Sequence, residues 1–162
     1  MRPDVVIQPL TDLEQLRELE ADANADGQGM VSRLIREWRD GRNRFCAAGE
    51  KVYVAKRGER VCGVCGVNRD PYAGDDSIGR VRRLYVSARE RRLGVGRALI
   101  DRLMADARGV YSWIHLRAHE HRAAVFYEAN GFEPIANNPD YTHRRRVIPE
   151  QGRAAGVLGS SQ

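Results

Sequence analysis

The chain has 162 residues, of which 42% are hydrophobic, so its composition is that of a folded globular protein and argues against wholesale disorder. Its length suits one domain of ordinary size. No apolar run reaches the roughly 18 residues of a membrane-spanning helix, and residues 1–4 lack the apolar stretch of a signal peptide. We therefore expect a soluble, cytoplasmic, single-domain protein.

The formal net charge is +5, and only Lys51 and Lys56 among the 27 basic residues are lysines. Arginine binds phosphate well because its guanidinium is bidentate. The basic residues are spread along the chain, however, and are dense only at residues 80–83, 89–97 and 143–146. This composition does not favour a nucleic-acid binder.

Two of the three cysteines have CxxC spacing, at Cys62 and Cys65, and Cys46 stands alone. A zinc site would need a second pair or suitably spaced histidines. A redox motif would lie at the start of a helix, whereas residues 61–67 have the pattern of a strand. We interpret these cysteines as small strand residues in a reducing compartment, and we predict no metal site.

Two helices are predicted after a short first strand at residues 5–7. Residues 11–14 have the spacing of a capping box, with Thr11 in the N-cap place. The second helix ends near Gly41. Apolar residues at helical spacing mark both helices: Leu13, Leu16 and Leu19, then Val31, Leu34, Ile35 and Trp38.

Alternating apolar residues and turn formers predict the remaining elements. These are strands at 52–55, 61–67 and 78–86, a helix through 98–107, a strand at 111–118, a helix at 123–129, and strands at 132–135 and 142–148. The order β-α-α-β-β-β-α-β-α-β-β predicts a mixed α/β sheet. Residues 1–150 form the predicted domain, and residues 151–162 are a Gly- and Ala-rich tail, either flexible or docked at an interface.

The most informative segment runs from Arg91 to Gly96, between a predicted strand and a predicted helix. Its two glycines leave the backbone N–H groups unobstructed, and the helix N-terminus behind them carries a partial positive charge. Such a segment suits a diphosphate. It lacks the third glycine of a dinucleotide fingerprint, since Leu99 takes that place, and no Gly-Lys-Ser/Thr of a P-loop follows. The alternative is a glycine turn with solvated arginines.

Two blocks of the sequence together resemble the GNAT family of N-acetyltransferases. Arg91-x-x-Gly94-x-Gly96, which opens a leucine-rich helix, is similar to motif A. A second block is similar to motif B: Glu120-x-x-Ala123-x-x-Phe126-Tyr127-Glu128-x-Asn130-Gly131-Phe132. The resemblance covers about residues 4–148. It implies a central, mostly antiparallel mixed sheet with one splayed parallel pair of strands, flanked by about four helices.

The resemblance implies acetyl-coenzyme A as co-substrate, with its pantetheine arm between the strand that ends at Val86 and the next one. The Val86 N–H would polarise the thioester carbonyl. The implied cofactor-binding residues are Leu84, Tyr85, Val86, Arg91, Arg92, Leu93, Gly94, Val95, Gly96, Arg97, Ala123 and Tyr127.

Tyr127 matches the family's tyrosine that protonates the departing thiolate, and the alternative is a tyrosine packed in the core. Motif B commonly begins with asparagine, so Glu120 is a departure, and it could contact the arm, pair with Arg122 or act as a base. His115 and His119 are candidate general bases because histidine titrates near neutral pH. A water relay is an equal alternative. Arg92 is also a departure, because the family usually has glycine there.

We expect the acceptor to be a primary amine of a small molecule, acetylated by direct attack in a ternary complex. Its binding residues are predicted to be Arg82, Arg83, His119 and Tyr141. Since the strand before motif A has no acidic cluster, an amine that also carries an anionic group fits better than a polyamine. The alternatives are a protein N-terminus or lysine as acceptor, and a non-catalytic acyl-coenzyme A or nucleic-acid-binding module. The resemblance also allows a homodimer.

Overall fold

A seven-stranded sheet with helices on both faces organises residues 4–149, the part of the chain that the computed structural model describes. The strands are β1 (Val5–Pro9), β2 (Lys51–Arg57), β3 (Arg60–Arg69), β4 (Ile78–Val86), β5 (Trp113–Leu116), β6 (Glu133–Pro134) and β7 (His143–Arg146). The helices are α1 (Arg17–Ala25), α2 (Met30–Arg39), α3 (Val95–Ala107) and α4 (His121–Ala129), with 3-10 turns at Leu13–Leu16 and Ala88–Glu90. The tail predicted at residues 151–162 lies outside the described residues.

The strand order is β1-β2-β3-β4-β5-β7-β6. Every neighbouring pair is antiparallel except β4 and β5, which are parallel. The predicted mixed, mostly antiparallel sheet with one parallel pair is therefore confirmed. Its two outermost strands, β1 and β6, end in Pro9 and Pro134. No helix between residues 4 and 149 combines the length and the apolar character needed to cross a bilayer.

Two hydrophobic cores lie on opposite faces of the sheet. One joins the sheet to α3 and α4 and contains Leu99, Ile114 and Tyr127. The other joins it to α1 and α2 and contains Leu34, Phe45 and Tyr85. Alternate residues of the central strands enter different cores, because successive side chains of a strand point to opposite faces. The sheet thus separates an α3–α4 side from an α1–α2 side.

Two details of the prediction are wrong. The N-cap is Asp12 and not Thr11: the Asp12 carboxylate accepts from the Glu14 N–H at 3.0 Å, and the Gln15 amide oxygen accepts from the Asp12 N–H at 3.2 Å. β5 is also shorter than expected and ends at Leu116. Two residues later, the Ala118 N–H donates to the Thr142 side chain at 2.8 Å instead of to a neighbouring strand.

The CxxC pair lies inside β3, where Cys62 and Cys65 are fully buried free thiols. Burial raises the pKa of Cys65 to about 12, so the thiol stays protonated and unreactive at neutral pH. This placement agrees with their interpretation as small strand residues.

We predict that Leu99→Ala lowers the free energy of unfolding by roughly 2–5 kcal/mol, because Leu99 is fully buried and its truncation leaves a cavity. The matched control is Leu93→Ala, which removes a side chain that is 48% exposed and should cost no more than about 0.5 kcal/mol. Urea denaturation followed by circular dichroism measures both. Equal losses in the two variants would contradict this assignment of the core.

Candidate active site

The parallel strands β4 and β5 separate soon after they meet. Their pairing covers only Ile78–Trp113, Gly79–Ile114 and Arg80–His115. Beyond Arg80, β4 continues for six residues to Val86 without a strand on that side, while β5 ends at Leu116. An opening therefore forms in the middle of the sheet.

Val86 presents its backbone to this opening. The following residue, Ser87, donates its N–H to Cys62 of β3 at 2.9 Å. Hydrogen-bonding direction alternates along an antiparallel strand, so Val86, which lies opposite Gly63, directs its N–H and C=O away from β3. The end of β4 thus offers a backbone donor and acceptor on the side where β5 is missing.

A β-bulge interrupts β4 just before this segment. Val64 pairs with Tyr85 and Gly66 with Arg82, so Cys65 alone faces two residues, Arg83 and Leu84. Arg83 takes up the extra length in the left-handed region, with φ of 58°. As a result Arg82 and Arg83 both point toward α2, although strict alternation would have sent them to opposite faces.

The loop before α3 has an open glycine and an uncapped helix start. Gly94 is the N-cap of α3 with φ of 85°, and no side chain caps the helix. A Cβ placed on Gly94 would meet no atom within 4 Å, so the space beside it is open. The first turn of α3 contains no acidic residue. Its leading N–H groups therefore lack partners within the helix and carry the positive end of the helix dipole. Arg92, also left-handed at φ of 64°, adds a second bend of the kind that glycine adopts more easily.

Gly96 has a different role from Gly94. It is buried, and a Cβ placed on it would lie 2.9 Å from the Phe126 ring and 3.7 Å from the Val86 side chain. Its missing side chain lets α4 approach the start of α3. The glycine pattern therefore combines one residue for backbone conformation with one for close packing.

The arginines of this loop are only partly free to meet a ligand. Arg91 forms an ion pair with Asp26, just after α1, and its guanidinium lies 5.6 Å from the centre of the Tyr85 ring. The Arg91 hydrogen bond holds the pKa of Asp26 below its usual range. Arg92 and Leu93 are exposed, and Arg97 is exposed with Asp101 at 4.0 Å.

Tyr127 lies in the α3–α4 core, with its ring centre 5.2 Å from that of Phe126 and 5.6 Å from that of Phe132. It is 8% exposed. Burial raises its pKa above the usual value, so the phenol is protonated at neutral pH. Ala123, one turn earlier on α4, is half-buried against the same core.

His115 lies on the opposite, α2-facing side of β5, with its neighbours Ile114 and Leu116 in the α3–α4 core. Its Nδ1 is 3.1 Å from the Asp70 carboxylate, and its ring stacks on Tyr141 with centres 3.9 Å apart. Because a carboxylate only accepts, Nδ1 carries the proton and Nε2 keeps the lone pair. Burial lowers the pKa of His115, against the opposing effect of Asp70.

Sequence reasoning expected the loop at residues 70–76 on the acceptor side, but it did not identify Asp70 or Arg80 as site residues. Asp70 is buried in the loop after β3, and its carboxylate also lies 3.5 Å from the Arg80 guanidinium. Arg80 in turn donates to the Asp140 carbonyl at 2.8 Å. The position of Arg80 could have been predicted, because strand alternation puts it on the same face of β4 as Arg82. The position of Asp70 could not, because it lies in a loop whose conformation the sequence does not reveal.

Two predicted site residues do not lie with His115, Asp70 and Arg80. His119 follows the end of β5 and is exposed, so it does not share the strand face of His115. Glu120 is the N-cap residue of α4, exposed and with no side-chain capping bond. Tyr141, in contrast, is brought against His115 as described above.

Comparison with known proteins agrees with this geometry. The model of the acetyltransferase (GNAT) domain matches residues 48–134, more than half of the chain. The chain belongs to the GNAT acetyltransferase family. It is therefore an acyltransferase, and the fold expected from motifs A and B is confirmed. A search of curated protein sequences found no significant match.

Solved structures of similar fold cover between 89% and 98% of this chain. A protein from Exiguobacterium sp. 255-15, provisionally described as an acetyltransferase, is 25% identical, with a TM-score of 0.76 over 98% of this chain and 99% of its own. Ard1 from Thermoplasma volcanium is 20% identical, with a TM-score of 0.67 over 89% and 98%. The GNAT N-acetyltransferase YhbS of Escherichia coli, in complex with CoA, is 15% identical, with a TM-score of 0.67 over 89% and 82%.

We predict that His115 titrates below its ordinary pKa of 6.5, since burial dominates, and that Asp70→Asn lowers the pKa further by removing a carboxylate that favours imidazolium. Because the folded protein disfavours protonation of His115, neutral His115 contributes fully to the free energy of unfolding above pH 6.5. That contribution is lost as the pH falls through the lowered pKa of the folded protein. Histidine NMR titration, assigned with His115→Gln, measures the pKa. A value at or above 6.5 in the wild type would refute the dominance of burial.

Proposed function

We propose that this GNAT domain transfers the acetyl group of acetyl-coenzyme A to a primary amine of a small molecule, by direct attack in a ternary complex. The observation that carries the proposal is the opening beside β4. The uncapped start of α3 follows the free end of β4, and Tyr127 and His115 lie on opposite faces of the same sheet.

The residues around the opening fit coenzyme A. The N–H groups around Gly94 and the first turn of α3 would hold its diphosphate, and the outward backbone groups of Val86 would pair with the pantetheine arm. When bound, acetyl-coenzyme A supplies a thioester, whose carbonyl carbon forms the new C–N bond and whose C–S bond breaks. The Val86 N–H would donate to the carbonyl oxygen as negative charge develops there.

His115 is our candidate general base. An amine must lose a proton in forming an amide, and the lone pair on Nε2 of neutral His115 can accept it. The Asp70 carboxylate fixes the tautomer through Nδ1 and stabilises the imidazolium that results. The lowered pKa keeps His115 neutral at physiological pH.

Tyr127 is our candidate acid for the leaving thiol. Its raised pKa keeps the phenol protonated and able to donate to the sulfur. Because an ordinary thiol has a pKa of about 8.5, complete transfer from a buried phenol is uphill. The structure therefore favours hydrogen-bond donation as the C–S bond breaks, with the proton reaching sulfur late in the step.

Ion pairs that tie α1 and α2 to the sheet support a small acceptor. Glu37 of α2 accepts from Arg83 of β4 at 2.8 Å, and Asp26 pairs with Arg91. Asp22 of α1 is 3.2 Å from Arg60 of β3. These contacts attach both helices to one face of the sheet, and a face that helices cover suits a small molecule better than a folded protein surface.

We predict that Gly94→Asp weakens binding of acetyl-coenzyme A roughly tenfold or more relative to Gly94→Asn, because a carboxylate repels the diphosphate at the helix N-terminus. Asparagine has the same shape and tolerates the left-handed backbone, so it serves as the matched control. Isothermal titration calorimetry measures both variants and the wild type. Equal affinities of the aspartate and asparagine variants would count against this loop as the diphosphate site.

We predict that Tyr127→Phe lowers kcat roughly 10²-fold, the usual contribution of a positioned acid, and leaves the affinity for acetyl-coenzyme A unchanged. Phenylalanine keeps the ring contacts with Phe126 and Phe132 and loses only the hydroxyl. Steady-state release of free thiol, with the folded state checked by thermal melting, gives the measurement. An unchanged kcat would leave Tyr127 as a core residue only.

A further inference from the structure

Three arginines of β4 line the α2-facing side of the opening, and only two of them have an acidic partner. Arg80 lies 3.5 Å from Asp70, and Arg83 lies 2.8 Å from Glu37. Arg82 forms no ion pair and no hydrogen bond through its side chain with any residue between 4 and 149. The cluster therefore contains one more cation than the described acidic side chains balance.

The side of the sheet to which Arg82 points follows from its neighbours. It lies directly opposite Gly66 on β3, and a Cβ on Gly66 would lie 2.6 Å from the ring of Phe45, a member of the α1–α2 core. Directly opposed residues of antiparallel strands point to the same face. Arg82 is therefore on the same side as His115, whose partner on β4 is Arg80.

Arg82 is half-buried, which makes its unmatched charge costly. Burial and the guanidiniums of Arg83 and Arg80 lower its pKa, but arginine remains a cation at neutral pH. Arg83 has its charge paired with Glu37, but its Nε is a buried donor with no hydrogen-bond partner in the described part of the chain. Buried cations are ordinarily paired, so this arrangement calls for an anion from outside the protein.

We propose that the acceptor of this enzyme carries a carboxylate, phosphate or phosphonate close to its amine, and that Arg82 binds this anionic group. The inference rests on the proposed function and names its substrate class. It does not concern the diphosphate of coenzyme A, since Arg82 lies four residues before the end of β4 and the α3 loop lies beyond that end.

The spacing along β4 sets the size of the acceptor. Two residues of a strand span about 6.6–6.8 Å, which is the step from Arg80, beside His115, to Arg82. A molecule that places its anion on Arg82 and its amine near His115 therefore has only a few bonds between the two groups. An α-amino acid or a short aminophosphonate meets this requirement. The surplus positive charge disfavours polyamines and lysine-rich peptides.

The first test compares acceptors that carry an anionic group with matched acceptors that lack it. Each of several L-amino acids is assayed against its own carboxamide, and aminomethylphosphonate is assayed against methylamine, by release of free thiol. We expect the anionic member to have the higher kcat/KM. Arg82→Gln should raise KM for that member roughly 10- to 100-fold, the usual effect of a charged hydrogen bond, and change KM for the neutral member much less. Arg108→Gln, at the exposed far end of α3, is the matched control.

Three results would overturn the inference. The enzyme could have a higher kcat/KM for the acceptors without an anionic group, or it could acetylate only spermidine or a lysine peptide. Arg82→Gln could also lower kcat/KM equally for the acceptors with and without the anionic group. If none of the acceptors is acetylated, a binding measurement tests the inference instead. Methylphosphonate is titrated by calorimetry into protein saturated with coenzyme A, so that the α3 loop is already filled. Binding that is lost in Arg82→Gln and kept in Arg108→Gln supports the anion site, and identical titrations refute it.

The two proposals fail in different ways. If acetyl-coenzyme A does not bind the wild type, the proposed function fails, and the methylphosphonate titration is then run on the protein alone. If acetyl-coenzyme A binds and Gly94→Asp weakens it, but Arg82→Gln changes neither acceptor preference nor anion binding, the proposed function stands and the inference about the acceptor is wrong.

Discussion

The site depends on the loss of pairing between β4 and β5 after three residue pairs. A continuous parallel pair would satisfy the backbone groups at the end of β4 and leave no room for a ligand. Because β5 stops at Leu116 and β4 runs on to Val86, those groups need another partner. An extended, polar ligand arm can supply it by adding in place of the missing strand.

The bulge at Arg83 gives the opening two chemically different sides. One residue of extra length turns two consecutive arginines toward α2 and returns Leu84 to the α3–α4 core. The α3–α4 side is then apolar around Tyr127, which burial keeps protonated. The α2-facing side is polar and holds His115, which burial keeps neutral. The candidate proton donor and the candidate proton acceptor thus lie on opposite faces of the sheet.

The sequence was sufficient for the fold and for the loop at Gly94, because both depend on local signals. Periodicity marks the elements, and motifs A and B are contiguous. The sequence was insufficient to predict contacts between residues that are far apart in the chain. Asp70 reaches His115 across 45 positions of chain, from a loop with no periodicity. The bulge was also hidden, since nothing in the string Arg82-Arg83-Leu84 says where a strand gains a residue. One local signal was also misread: the capping box joins Asp12 and Gln15, one position later than the predicted box that begins at Thr11.

Both outer edges of the sheet end in proline, at Pro9 and Pro134. Proline has no N–H to give to another strand, and exposed edges without such a block invite edge-to-edge aggregation. β6 is also only two residues long, so little of it is available as a template. The unpaired backbone that the fold does retain lies in the interior of the sheet, between β4 and β5. There it has a strand on either side, unlike the outer edges, to which a strand of a neighbouring protein can add.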